Sequence, residues 1–183
     1  MSLVVSPITE SRDELLKEVI NSRCFAQAKC MAHFQMCRIY ARRNNMVGVP
    51  SVVLSAIVGT AIFASLSKHS HVGVEIVVGL LAVTASVLSG LQTFFGFSAV
   101  SAHHKAAAVR YDSARHKLDA LDRALRFKSF NMADLDATLE KLQDIELEMN
   151  KAAEQAPSIR SSVERRARIK MDAEKTLRDS ASA

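Results

Sequence analysis

Two uncharged apolar stretches, Met46 to Leu66 and Ile76 to Ala102, lie nine residues apart and are flanked on both sides by charged, helix-compatible sequence. They have 21 and 27 residues, and about 20 apolar residues in an α-helix cross the hydrocarbon core of a bilayer. No ionisable side chain lies between Arg43 and Lys68, whereas a soluble amphipathic helix of that length carries a charged face. The pattern predicts a transmembrane helical hairpin, with a buried pair of core helices as the alternative reading. Glu75 opens the second stretch, where the linker Ser67 to Val74 would hold it at the surface. A charge deep in the bilayer costs about 2.5–3.5 kcal/mol.

Positive residues close to membrane segments tend to stay on the cytoplasmic side. Arg38, Arg42 and Arg43 precede the first span and Lys105, Arg110 and Arg115 follow the second, while the linker has only Lys68. The expectation is a multi-pass protein of the cell membrane with both termini cytoplasmic. Charged, helix-compatible sequence precedes the first span, with no Ala-x-Ala-like processing site after a short apolar region, so the hairpin should remain in the mature protein.

This divides the chain into an N-terminal cytoplasmic arm, 1–45, and a hairpin, 46–102, with spans at 46–66 and 76–102. A stalk and return helix, 103–156, and a basic C-terminal helix and tail, 157–183, follow. Residues 1–45 hold seven Lys or Arg against four Asp or Glu, and 157–183 repeat that ratio, whereas 103–156 hold nine against ten. Basic ends suit an anionic inner leaflet. No aromatic interleaving or binding motif accompanies the charge, so no nucleic acid is expected.

Ser11 and Glu14 have capping-box spacing, and Leu15, Leu16, Val19 and Ile20 open an apolar stripe continued by Ala28, Ala32, Met36 and Ile39. This first helix should end near Asn44 and Asn45, because Gly48 and Pro50 follow. Either the first span begins anew at Pro50 or the proline kinks a continuous helix. The second span contains no proline and should run as one rod into a stalk ending at Phe127. Along the stalk Ala114, Leu118, Leu121 and Leu125 repeat at heptad spacing. Asn131 can cap a return helix striped by Leu135, Leu139, Leu142, Ile145 and Met149. Pro157 ends it, and Ser158 to Leu177 make a last charged helix. Cys24, Cys30 and Cys37 match no zinc or redox spacing and read as reduced, small apolar residues.

This layout resembles the SLATT family, small bacterial two-span proteins that sit beside nucleotide-second-messenger synthases and related sensors in antiviral conflict systems. The resemblance is carried by the long first helix ending in Arg42 and Arg43, the tight linker, and the run His104, Ala107, Ala108, Tyr111 leaving the second span. The step Ala156-Pro157-Ser158-Ile159 ahead of a terminal helix adds to it. It implies a membrane effector that oligomerises and breaches the membrane when triggered by a nucleotide second messenger or a partner such as the synthase or sensor. It also implies that His104 and Tyr111 fix the stalk against the first helix. No recognisable nucleotide-sensing domain accompanies the spans.

In the second span Gly79, Ala82, Ser86, Ser89, Gly90 and Thr93 fall within about 100° of one another at 3.6 residues per turn. Ser51, Ser55 and Gly59 are a narrower counterpart in the first. Small residues let helix backbones approach, so the stripe either packs the hairpin or lines an oligomeric pore. Lys68, His69, His71 and Glu75 would form the pore mouth. Gln92 lies off the stripe, and its amide needs a partner on a neighbouring helix, in its own chain or another.

Arg160, Arg165, Arg166, Arg168 and Lys170 form a basic cluster suited to anionic lipid or an acidic partner, or else a solvated face laced with Glu164, Asp172 and Glu174. His103, His104 and His116 invite a metal or proton-switch reading, but adjacent helical residues diverge by 100°, so 103 and 104 do not easily ligate one ion, and an interfacial location alone explains them. No phosphate loop, nucleophile elbow or paired catalytic carboxylates appear, and the expectation is a protein that is not an enzyme and carries no metal or cofactor. The sequence therefore points to an all-α, two-span hairpin whose long cytoplasmic helices form a bundle or coiled-coil stalk. Its copies would assemble into a pore or membrane-disrupting effector. The rival is a non-conducting membrane anchor or scaffold that recruits a partner through its helical arms.

Overall fold

The structure, a computed structural model, describes residues 7–65, 72–127 and 132–181. Among these, every regular element is an α-helix: α1 (Pro7–Ser65), α2 (Val72–Phe95), α3 (Phe97–Phe127), α4 (Met132–Gln155) and α5 (Ser161–Ala181). They form two compact units, Cys37–Ala102 and a second made of Met1–Met36 with His103–Ala183. We call them the hairpin and the bundle. Lys68, His69, His71 and Asn131 lie outside the described residues.

Three elements differ from the sequence expectation. Helix α1 starts at Pro7, so Ser11 and Glu14 lie inside it and do not cap it. Pro suits a first helical position because its missing N–H would be unpaired there anyway. Helix α1 also passes through Asn44, Asn45, Gly48 and Pro50 without ending. Pro50 removes a single backbone donor, about 3 kcal/mol, whereas ending a helix in lipid leaves several backbone groups unpaired. Finally, the second span and the stalk are not one rod. Gly96, with φ +53°, separates α2 from α3, a left-handed backbone that glycine adopts at no steric cost.

The bundle has an ordinary interior. Along α3, Ala107, Tyr111, Ala114, Leu118 and Leu125 are buried, and along α4 Leu135, Thr138, Leu142, Ile145, Met149 and Ala152. The α4 run alternates steps of three and four, and the α3 run does so as far as Leu118 before a step of seven to Leu125, which keeps one seam facing inward along each helix. Leu15, Val19, Ala26 and Cys30 of α1 join that core, and Val163, Ala167 and Met171 are the buried face of α5. Polar contacts fix α1 against its three neighbours. Arg23 pairs with Asp119 at 3.0 Å, the Ser22 hydroxyl donates to Glu146 at 2.6 Å, and Lys29 pairs with Glu164 at 2.8 Å. Arg12 Nε donates to the Leu125 carbonyl at 2.8 Å, satisfying an acceptor in the last turn of α3 that has no partner within the helix.

The hairpin is inverted relative to the bundle. Its buried residues are Ser51, Val58, Ala85 and Ser101, while Val52, Val53, Ile57, Ile62, Ile76, Val77, Leu80, Val83, Val87, Leu91 and Phe94 are exposed. Water would penalise that arrangement at about 25 cal/mol for each Å² of apolar surface. A lipid environment does not, and it favours small residues between helices. Helices α1 and α2 both contain windows long and apolar enough to cross a membrane.

Candidate functional site

The two spans meet along small side chains. The Ser51 hydroxyl donates to the Ala85 carbonyl at 3.3 Å, directly across the hairpin. Beside this contact Ser55, Val58 and Gly59 of α1 and Ala82, Ala85, Ser86 and Ser89 of α2 line a cleft of about 540 Å³. Five residues of the small-residue stripe are thus brought together there, with Ser51 at their edge. Gly79, Gly90 and Thr93 lie on the exposed surface of α2 instead. A Cβ built on Gly59, Gly79 or Gly90 would meet nothing within 4 Å, so these three glycines have room for a side chain within the single chain.

Several other hydroxyls of the spans bond along their own helices. Ser55 donates to the Ser51 carbonyl at 2.9 Å, Ser86 to that of Ala82 at 3.0 Å, and Thr93 to that of Ser89 at 3.1 Å. Thr84 does the same with Leu80 at 2.8 Å. Each proton is satisfied without a partner helix, while the oxygens retain acceptor capacity. The cleft therefore offers acceptors in an otherwise apolar surface.

Gln92 finds its partner within the chain. Its Nε2 donates to Asn44 Oδ1 at 3.4 Å, and the amide rests against Gly48, where an added Cβ would lie 2.9 Å from that nitrogen. Asn44 and Gly48 are one turn apart on α1, and neither stood out in the sequence as part of a site. The signal was there, since Asn44 and Gly48 make a polar and small pair beside the span, the complement an intramembrane amide needs. Toward the ends of this unit the Ser101 hydroxyl donates to the Cys37 carbonyl at 3.0 Å, and the Tyr40 and Phe97 rings lie 6.3 Å apart. Glu75, the described member of the expected pore mouth, is exposed in the first turn of α2.

Within the bundle, His104 and Tyr111 of α3 meet a residue the sequence reading passed over, His33 of α1. The two histidine Nδ1 atoms are 3.0 Å apart, and the Tyr111 ring stacks on His33 at 5.7 Å. All three are 1–2% exposed. Burial, then the nearby His104 and Lys29, push the His33 imidazole down to about 4 against a partly opposing Glu164. Burial, then His103, lowers His104 as well. Both rings are therefore neutral near pH 7, one donating its Nδ1–H to the other. His33 falls between Ala32 and Met36 on the apolar stripe, where a lone histidine looks like one more core residue. Leu118, Leu121 and Leu125 continue this packing below Tyr111.

All five residues of the basic cluster are exposed, and Arg168 has a second environment. Arg168 lines a cavity of about 250 Å³ between α1 and α5 with Cys24, Phe25, Lys29 and Met171, and pairs with Glu164 at 3.0 Å. Glu164, also bonded by Lys29, is held below the usual carboxylate range by those two hydrogen bonds. Arg160, Arg165, Arg166 and Lys170 are exposed. Cys24, Cys30 and Cys37 form no disulfide. The Cys30 thiol is pushed up to about 11 by burial, then by Asp112, which makes it a poor nucleophile. Among the described residues no three metal-ligating side chains converge.

No curated protein and no solved structure gives a significant match to the chain. A family model does, over residues 24–179, and its description as a two-transmembrane effector domain agrees with the paired apolar helices. The chain belongs to SMODS and SLOG-associating 2TM effector domain family 4.

Proposed function

We propose that the chain is a membrane effector of a bacterial defence or conflict system, whose copies assemble through the spans into a pore or a membrane-disrupting cluster. The observation that carries this reading is the inverted hairpin, which leaves glycines with open space at Gly79 and Gly90 on its outer surface. A single hairpin cannot enclose water, so conduction requires several copies around an axis. Exposed glycines let a second backbone approach closely. The family's association with SMODS and SLOG proteins supports a synthase or sensor of that kind as partner, with a nucleotide messenger as trigger. The flanking arginines and lysines support a cytoplasmic side for both termini.

Toxicity on induced expression, with the neighbouring synthase supplied, tests the reading. Gly90→Leu and Ser86→Leu should abolish toxicity at unchanged membrane abundance. Gly90 has room for a side chain within its own chain, so loss of function there reports contacts beyond it. Full toxicity of both variants would sink the reading. One observation favours the non-conducting anchor: the hydroxyls of Ser55, Ser86 and Thr93 are satisfied by their own helices and require no wet lumen. The anchor reading expects function to survive exchange of both spans for unrelated apolar helices.

A further inference from the structure

Each arm of the hairpin carries one break in helical regularity. Pro50 lies inside α1 and has no N–H, so the Met46 carbonyl loses its donor. Gly96 separates α2 from α3 with φ +53°. Its N–H still bonds the Gln92 carbonyl at 3.2 Å and its carbonyl accepts from Val100 at 3.1 Å, so that interruption is one residue wide.

The contacts across the unit set its antiparallel register. Ser51 faces Ala85, Asn44 faces Gln92, Tyr40 faces Phe97, and Cys37 faces Ser101. In this register the seat of Gln92 falls between Pro50 on one arm and Gly96 on the other. On the far side of Gly96, Phe97 is clamped between Phe95, stacked at 5.2 Å, and Tyr40, whose ring is capped by Arg43 at 5.8 Å. Beyond Pro50, Ser51 fastens the arms again. Between these two fastenings a side-chain hydrogen bond from Gln92 to Asn44 bridges the arms. Its length of 3.4 Å is beyond the usual N–H···O range of 2.7–3.2 Å.

We propose that Pro50 and Gly96 are offset hinges and that the Gln92–Asn44 hydrogen bond, seated on Gly48, is the latch holding the arms together in the resting form. A weak bond at this level suits a contact that is made and released. Gly48 is required because any larger residue pushes the amide off its partner. Only the far end of the flexible Gln92 side chain stands in the way, so the substitution displaces the latch without forcing the helices apart.

The test uses the full chain in lipid nanodiscs, its native cysteines replaced by alanine and spin labels placed at Met46→Cys and Phe94→Cys. Both sites are exposed, at 67% and 83%. Gln92→Leu, Asn44→Leu and Gly48→Ala should each broaden the distance distribution and shift it to longer values. Adding Pro50→Ala to Gln92→Leu should narrow it again by restoring the missing donor. Helix propensity alone predicts the reverse for Gly48→Ala, a stiffer arm and a sharper distribution. A wild-type or sharpened distribution in Gly48→Ala, or an unchanged one in Gln92→Leu, overturns the latch. The readout is a distance and not a current, so it is decided whether or not the hairpin conducts.

Discussion

His33 and His104 leave room for one proton between their Nδ1 atoms, and a second proton there would set two N–H groups against each other. The folded bundle therefore favours neutral rings, with His33 held at about 4. Unfolded histidine titrates near 6.5, so the unfolded chain binds more protons between the two values. Stability from this site is fully present above about pH 6.5 and is lost as pH falls toward about 4. Thermal unfolding in detergent should show the midpoint falling from pH 7 to pH 5, and His33→Gln should flatten that fall. A second test at this scale concerns packing. Leu118 and Leu142 are 0% and 1% exposed, so truncating either to alanine should cost about 2–5 kcal/mol in denaturant unfolding. Leu118 was legible from heptad spacing and Leu142 from the apolar stripe of the return helix. His33 was not, because a single histidine in an apolar stripe reveals its partner only once α3 is placed beside it.

Among the elements, those defined by periodicity were legible and those defined by one backbone angle were not. The apolar windows of α1 and α2 follow from the absence of charge, and the stripes of α3 and α4 from steps of three and four, except that Leu139, expected on the α4 stripe, is exposed and Thr138 is buried in its stead. The continuity of α1 through Pro50 depends on weighing one missing donor against a chain break in lipid, and spacing does not encode that comparison. The break at Gly96 depends on a left-handed φ, which the surrounding Phe-Phe-Gly-Phe run does not signal. Gly96→Ala should therefore destabilise the protein by about 1–2 kcal/mol although nothing lies within 4 Å of the new methyl group. Calorimetry in detergent checks this, and an unchanged melting temperature would contradict it. Helix α5 is tied to α1 by Lys29–Glu164 at 2.8 Å, a pair with side chains 23% and 28% exposed. Glu164→Gln should loosen it by about 1 kcal/mol or less, seen as faster proteolysis within α5 while α3 and α4 remain protected.

At the scale of the whole molecule, the chain combines a bundle that hides its apolar residues with a hairpin that displays them, and the two demand different solvents. That contrast was legible because charge is distributed so unevenly: one Lys and one Glu fall in residues 46–102. The partner of Gln92 was only half legible: Asn44 and Gly48 stand beside the span, but an amide in lipid is satisfied equally well within a chain or between chains. The central claim is that copies meet through the open glycine face of the second span and together breach the membrane. Membrane potential and dye entry in bacteria expressing the chain, with any neighbouring signal synthase supplied, test this directly, comparing wild type with Gly90→Leu at matched membrane abundance. Rapid depolarisation in wild type and its loss in Gly90→Leu is the expected result. Depolarisation in both, or in neither with the synthase active, would contradict it.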